Sequence, residues 1–259
     1  MKTVTAFLGS ARRRGLTYTA TRQFLDRLQA LGDVQAEIVF LSDYSVGMCR
    51  GCKCCFKRGE ERCPLKDDRD VVIEKMMASD GVIFATPNYS FQVSGMMKVF
   101  LDRLGFAFHR PQFHGKTFTS IVAQGIHGGS KIVKYLDFAG AGLGFNVVKG
   151  SCIAGLEPMS EKNRRQMETA LAQHCRRFHR QLMRPAYPAP SLFQLMVFRM
   201  GRTSIRQMLS EPNRDFTYYR DRGWFESGYF YPARLGAIKK AAGAAFDWMA
   251  GRIFRKEAA

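Results

Sequence analysis

The chain is expected to fold as an α/β protein: a doubly wound, five-stranded parallel sheet with a C-terminal helical extension. Two observations lead there. Short strand-like runs alternate with helix-period stretches in the order β-α repeated five times, and a run such as Val82-Ile83-Phe84-Ala85 is apolar on both faces. A punctuated segment, Pro185-Ala-Tyr-Pro-Ala-Pro190, then separates this pattern from a stretch of different composition.

Residues 2–8 read as a strand that ends at Gly9, and 17–30 carry helical periodicity until Gly32 stops them. Residues 34–41 alternate as a second strand. An irregular stretch from Tyr44 to about Asp68 follows. Residues 70–79 read as a helix, 81–86 as a buried strand, 94–104 as a helix and 117–123 as a strand. Residues 130–141 read as a helix and 145–153 as a fifth strand. Ser160 then opens a long helix: Ser160-x-x-Asn163 is a weaker capping box, and Glu161 suits the positive end of the helix dipole. In such a sheet, ligands bind beyond the carboxyl ends of the strands at the topological switch point.

This pattern divides the chain into a sheet domain at 1–184, a linker at 185–190, and a basic, aromatic-rich helical extension at 191–259. With 259 residues the chain is long enough for a full core. The net charge of +18 suits an anionic cofactor, a membrane surface or nucleic acid. Basic residues are spread over 12–14, the helix at 162–184 and the tail, with no nucleic-acid motif, so no nucleic-acid partner is expected. Five of the seven cysteines sit in one loop, while Cys152 and Cys175 stand alone as packing residues. That is not a secreted disulfide framework, and it points to a reducing, cytoplasmic location. Residues 1–8 run straight into a strand, unlike a signal peptide, and no apolar run is long enough to span a bilayer.

The loop cysteines Cys49, Cys52, Cys55 and Cys63 are spaced C-x2-C-x2-C-x7-C, with Pro64 next and Cys54 inside the run. Thiolates two residues apart can face one metal centre, and this run followed by Cys-Pro is the pattern of iron–sulfur ligation. Zinc sites more often split into two separated pairs. Reduced thiols that hold nothing are the competing reading.

Three further loops bear on ligand binding. Residues 9–17, Gly-Ser-Ala-Arg-Arg-Arg-Gly-Leu-Thr, join the first strand to the first helix. Amides at a helix N-terminus, hydroxyls from Ser10, Thr17 and Thr19, and the Arg12 guanidinium make this a candidate phosphate loop. After the third strand, Pro87 stiffens the exit, Asn88 and Gln92 offer amides, and Tyr89 and Phe91 offer ring faces to a planar ligand. After the fourth, Gly125, Gly128 and Gly129 permit close backbone approach, and His127 reads as polar surface before proton donor. Lys98 and Asp102, spaced i,i+4, read as a helix salt bridge.

Taken together, the segments 9–17, 49–56, 63–68 and 86–103 resemble the NAD(P)H-dependent FMN reductase superfamily, and the cysteine loop is similar to that of the iron–sulfur flavoproteins. The resemblance spans roughly residues 1–180 and implies a flavodoxin-like fold. It implies that Ser10, Arg12 and Thr17 hold the FMN phosphate, and that Pro87, Asn88, Tyr89, Phe91 and Gln92 line the isoalloxazine. The turn holding Gly125, Gly128 and Gly129 covers its other edge, and Cys49, Cys52, Cys55 and Cys63 match the ligands of a [4Fe–4S] cluster. Two departures stand out: Ala11 replaces a frequent Pro, and Leu16 a frequent Asn.

The resulting expectation is a homo-oligomeric enzyme that uses FMN with NAD(P)H as co-substrate to reduce quinones, flavins or other small electrophilic acceptors. The rival is an iron–sulfur flavoprotein passing electrons between a ferredoxin-like partner and an acceptor, and a zinc- or thiol-based sensor is a third class. The basic, amphipathic stretch 233–255 has two readings: peripheral contact with an anionic membrane, or packing on the domain or a second copy. Packing is preferred, because amphipathic helices are usually half-buried.

Overall fold

The computed structural model describes residues 1–156 and 158–257, with side chains as far as Phe254. The Arg255 side chain and residues 258–259, placed by sequence in the extension, lie outside the described residues. The chain groups into two compact units. The first holds 1–50 and 66–186, and the second holds 51–65 and 187–259.

In the first unit the elements run β1 (Lys2–Leu8), α1 (Leu16–Ala30), β2 (Val34–Phe40), then, in the second unit, α2 (Cys54–Lys57). They continue as α3 (Arg69–Ala78), β3 (Gly81–Pro87), α4 (Gly95–Arg103), α5 (Gly105–His109) and β4 (Thr117–Gln124). Next come α6 (Gly129–Gly142), β5 (Asn146–Val147), β6 (Ser151–Ala154) and α7 (Glu161–Leu182). The strands order as β2-β1-β3-β4-β5, with β6 also on β4, and every ladder is parallel. The order reverses between β1 and β3, which is where a doubly wound sheet opens a binding crevice.

Strand periodicity sorts the core into two layers. Ala6, Leu8, Ile83, Ala85 and Ile121 face α1 and α7, and join Phe24, Leu28, Leu171 and Phe178 in one buried cluster. The alternate residues Phe7, Phe84 and Phe118 form the second layer: Phe84 meets Phe118 edge-on at 5.0 Å, and Phe7 stacks on Phe100 of α4 at 6.3 Å. Ser160 caps α7 by accepting the Asn163 N–H at 3.2 Å, the half of the expected capping box that reads from the cap side chain.

One expected element divides. The strand anticipated at 145–153 is two short pieces, β5 and β6. Between them, Gly150 passes so close to β4 that an added Cβ would lie 2.6 Å from the Ser120 carbonyl oxygen. The Gly150 N–H turns to the Asp137 carboxylate at 3.2 Å, which also accepts from Ser120 Oγ at 3.1 Å. Burial pushes the Asp137 carboxyl upward. A side-chain carboxylate has taken over a ladder hydrogen bond, and the strand breaks there.

The second unit has its own core of Leu195, Phe198, Tyr218, Tyr219, Trp224 and Tyr229. Its helices are α8 (Leu192–Met208), α9 (Arg214–Asp221) and α10 (Ala237–Glu257). A reciprocal capping box starts α8: Ser191 Oγ accepts the Gln194 N–H at 3.2 Å, and Gln194 Oε1 accepts the Ser191 N–H at 2.8 Å. Part of the aromatic stretch 216–231 is α9, from which Tyr218 and Tyr219 on adjacent positions both enter the core. The α10 helix lies along α8, where Asp247 accepts from Arg199 Nη1 and Arg202 Nη2, each at 2.7 Å. Among the described residues no helix is long and apolar enough to cross a membrane. The α2 turn packs against α9, and Glu60 faces Arg214 at 4.0 Å.

Candidate functional site

Three loops of the first unit meet at the carboxyl edge of the sheet. The loop after β3 is a two-residue turn in which Tyr89 and Gln92 exchange main-chain hydrogen bonds at 3.0 and 2.9 Å. Both central residues, Ser90 (φ 50) and Phe91 (φ 61), are left-handed. That geometry usually draws Asn-Gly, so two side-chain-bearing residues here hold strain of the kind found at binding sites. The turn presents the Tyr89 and Phe91 rings outward, 54% and 64% exposed. Gln92 Oε1 is engaged locally, accepting the Val93 N–H at 3.1 Å, and Pro87 is buried in the end of β3.

Asn88 ties this turn to the loop after β4. Its Nδ2 donates to the His127 carbonyl at 2.9 Å, and the Phe91 and His127 rings lie 5.3 Å apart. The other half of the amide, Oδ1, is buried with no hydrogen-bond partner among the described residues. A buried acceptor of this kind is costly unless something donates to it. Gly128 makes the approach feasible: its φ is +95°, and an added Cβ would sit 2.9 Å from Phe91 Cδ1. Gln124 Oε1 shapes the turn by accepting the Gly129 N–H at 2.6 Å. Gly129 also packs on the Cys152 thiol, which burial pushes upward, and burial raises Cys175 to about 11, so both behave as packing residues. Gly125 turns toward Leu156, which an added Cβ would meet at 3.3 Å.

The loop after β1 begins with the Gly9 N–H donating to Ala85 of β3 at 2.8 Å. Ser10 is buried, and its Oγ accepts the Arg12 N–H at 3.3 Å. The α1 helix starts at Leu16 behind a glycine N-cap that offers no side-chain cap, so the first-turn N–H groups and the dipole are available to an anion. Thr17 is buried in this first turn. Thr19 lies about 200° round the helix from it and lines a cavity between α1 and α7. Leu16, which stands in place of a frequent Asn, packs against the α1–α7 core. Lys98 and Asp102 form the i,i+4 pair at 2.5 Å.

These features fit FMN: a phosphate at an uncapped helix start, outward aromatic faces, and a buried amide oxygen awaiting an N–H donor.

The cysteine loop is folded tightly by left-handed Gly51 (φ 64), Lys53 (φ 59) and Gly59 (φ 113). Its two ends are clamped in the first unit. Arg103 of α4 reaches Asp67 through Nη1 at 2.5 Å and Nη2 at 3.1 Å, and Nη1 also donates to the Gly47 carbonyl at 2.9 Å. Both side chains are almost enclosed, 2% and 11% exposed. Burial works to raise the Asp67 carboxyl, but the Arg103 guanidinium and the N–H groups of Gly47 and Arg69 together hold it below the usual range. Sequence reasoning gave Asp67 and Arg103 no role; nothing local links residues 36 apart.

The seven cysteines form no disulfide. Cys49 belongs to the first unit, and Cys52, Cys54, Cys55 and Cys63 to the second. Hydrogen bonding with Cys52 pushes the Cys54 thiol upward, aided by Cys63, while Arg58 pulls the other way. The donor chemistry suits a cluster, but the arrangement does not: among the described residues no three His, Cys, Asp or Glu side chains gather to hold a metal ion.

Comparison with known proteins identifies the family. The profile of the NADPH-dependent FMN reductase family matches residues 2–156. An iron-sulfur flavoprotein of Archaeoglobus fulgidus is 32% identical over 160 residues, covering 58% of this chain and 71% of that protein. An iron-sulfur flavoprotein of Methanocaldococcus jannaschii is 35% identical over 95 residues, 37% of this chain and 48% of that one. Among solved structures, the NAD(P)H:quinone oxidoreductase of Methanothermobacter marburgensis superposes with a TM-score of 0.54 at 14% identity, covering 68% of this chain and 98% of the other. That last likeness concerns the fold.

Proposed function

The chain belongs to the NADPH-dependent FMN reductase family and is an oxidoreductase, and we propose that it is a cytoplasmic FMN enzyme that uses NAD(P)H to reduce quinones, flavins or other small electrophilic acceptors. The observation that carries this is Asn88, which joins two of the three loops through Nδ2 while holding Oδ1 buried and unpartnered. FMN, when bound, supplies hydride acceptance from the nicotinamide and delivery of electrons to the acceptor. The protein's part is to bind and orient. Ser10, Arg12 and Thr17 with the start of α1 would take the phosphate. Tyr89 and Phe91 would flank the planar ring, Asn88 Oδ1 would accept from a ring N–H, and the glycines at 125, 128 and 129 would admit its edge. No side chain is needed as an acid or base.

The test is an anaerobic absorbance spectrum of purified protein before and after NADPH, with iron analysis. Flavin bands that bleach on NADPH support the reading, and absence of flavin refutes it.

The iron-sulfur flavoprotein relatives and the cysteine spacing favour one second reading: electron transfer between a ferredoxin-like partner and an acceptor. Stoichiometric iron, with no bleaching by NADPH, would select it.

A further inference from the structure

The second unit carries a helix with no polar face. Between Ala237 and Phe254, α10 has four charged residues, and two of them are engaged inside the unit. Lys239 Nζ donates to the Pro190 carbonyl at 2.6 Å, and Asp247 accepts from Arg199 and Arg202 of α8. The side turned to α8 is closely packed: Ala250 is fully buried, and a Cβ on Gly243 would meet Arg199 Nε at 3.1 Å.

The opposite side is apolar as well. At about 100° per residue, Ile238, Ala241, Ala245, Trp248, Met249 and Arg252 fall on one arc that points away from Gly243 and Ala250. Ile238 is 81% exposed, Trp248 60% and Met249 37%, and Ala241 and Ala245 are exposed between them. The one charge on the arc, the Arg252 guanidinium, lies over the Trp248 ring at 4.5 Å, so its stem and the indole extend the same surface. A helix that is apolar all round belongs in an interior, and an exposed apolar face of this kind marks an interaction surface.

We propose that this outer face is a self-association surface, on which a second copy of the chain docks its own α10 antiparallel about a two-fold axis at Ala245. The distribution of bulk along the arc carries the choice. Trp248, Met249 and Arg252 crowd the C-terminal half, while alanines fill the middle. Antiparallel pairing sets Ala241 against Met249 of the second copy and Ile238 against the aliphatic stem of Arg252. Ala245 meets its own copy at the axis, where a small side chain lets two helices approach to about 8 Å. A parallel pair would instead set Trp248 on Trp248 and Arg252 on Arg252. The antiparallel pair holds the two Arg252 charges about 20 Å apart along the axis, beyond the screening length of about 8 Å. A helix face about 25 Å long and about 10 Å wide buries, over two copies, on the order of 1,000 Å², the lower bound for a specific interface. An anionic bilayer matches less well. Interfacial helices oppose bulky apolar residues to a strongly basic face, and here alanines dominate, with Lys240 and Arg252 the charges left over up to Phe254. The pairing goes beyond homo-oligomerisation as such by fixing the surface and its register, and it does not depend on flavin chemistry.

The experiment is analytical ultracentrifugation of the full chain and of Ala245→Glu, Ala241→Glu, Met249→Lys and the double variant Ala241→Glu/Met249→Lys. All three positions are exposed and both introduced residues are good helix formers, and circular dichroism verifies that each variant is folded. The parent is expected to sediment as a dimer or a multiple of one. Ala245→Glu brings two carboxylates together at the axis and should halve the mass, raising the dissociation constant about a hundredfold or more. Each other single variant should also weaken association, and the double variant, which pairs opposite charges across the register, should recover it to within about tenfold of the parent. Should Ala245→Glu unfold, the single and double variants at 241 and 249 decide alone. A monomeric parent overturns the proposal. So does a folded Ala245→Glu of unchanged mass, or a double variant that associates no better than its singles. A chain that is monomeric in solution but co-sediments with phosphatidylserine vesicles, and loses that on Ala245→Glu, would give the face to a bilayer and overturn it equally.

Discussion

Lowering the pH from about 7.5 to about 5 is expected to remove about 2 kcal/mol of stability through one residue, His174. This imidazole on α7 is fully buried, 4.8 Å from the Phe24 ring. Its Nε2 lies 2.6 Å from Thr119 Oγ1, and that hydroxyl already donates to the Val148 carbonyl at 2.9 Å. Nε2 therefore carries the proton, and Nδ1 is left with no partner. Burial first, and the nearby Arg177 charge second, push the pKa down to about 3. The unfolded chain takes up a proton near the ordinary value of about 6.5, while the folded chain stays neutral. The stabilisation is thus complete above about 6.5 and is lost as pH falls from there toward the folded value. Over the roughly 1.5 units down to pH 5, at about 1.4 kcal/mol per unit, the loss is about 2 kcal/mol. His174→Leu keeps an apolar filling, leaves Thr119 its carbonyl partner and removes the titration. Urea denaturation of both proteins across this range should be followed by far-ultraviolet circular dichroism, because Trp224 and Trp248 both lie in the second unit. The variant should gain about 2 kcal/mol on the parent as the pH falls. Parallel curves, or a magnetic-resonance titration of His174 near 6.5, would refute the reasoning.

Two other outcomes are expected. Arg103→Met strands the nearly enclosed Asp67 carboxylate and should cost about 3–5 kcal/mol, most of it recovered when Asp67→Leu is added; calorimetry that finds the single variant as stable as the parent would contradict the clamp. Because Asp67 is held low, its share of stability is present above the usual carboxylate range and disappears only as pH falls through the depressed value. Gly128→Ala forces a β-carbon onto a left-handed residue beside Phe91 and should weaken FMN binding about tenfold in a fluorescence titration while the fold persists; unchanged affinity would remove this turn from the flavin site.

The alternation of strands and helices was legible in the amino-acid sequence because each element carries its own periodicity, and helix caps such as Ser160 and Ser191 act within three residues. That the loops after β1, β3 and β4 share one edge was legible for a related reason: in a parallel sheet, chain order alone places them there. The break between β5 and β6 was hidden, since it arises where Gly150 meets Ser120 and Asp137, residues far away in sequence. Thr17 and Thr19 looked alike until the helix turned them to different faces. Cysteine spacing displayed a donor set, yet whether thiols gather depends on the left-handed turns between them and on what packs around them.

The sequence by itself determined the α/β class, the order of the strands' connecting loops and the chemistry those loops offer, because these follow from local periodicity and from chain order. Only the tertiary structure decided that 51–65 groups with the C-terminal helices through α2 and α9, that Arg103 clamps Asp67, and that Asn88 and Gln23 each hold a buried oxygen with no partner among the described residues. Those features depend on contacts between residues distant along the chain, whose partners are chosen by burial and hydrogen-bond satisfaction across the whole packed unit.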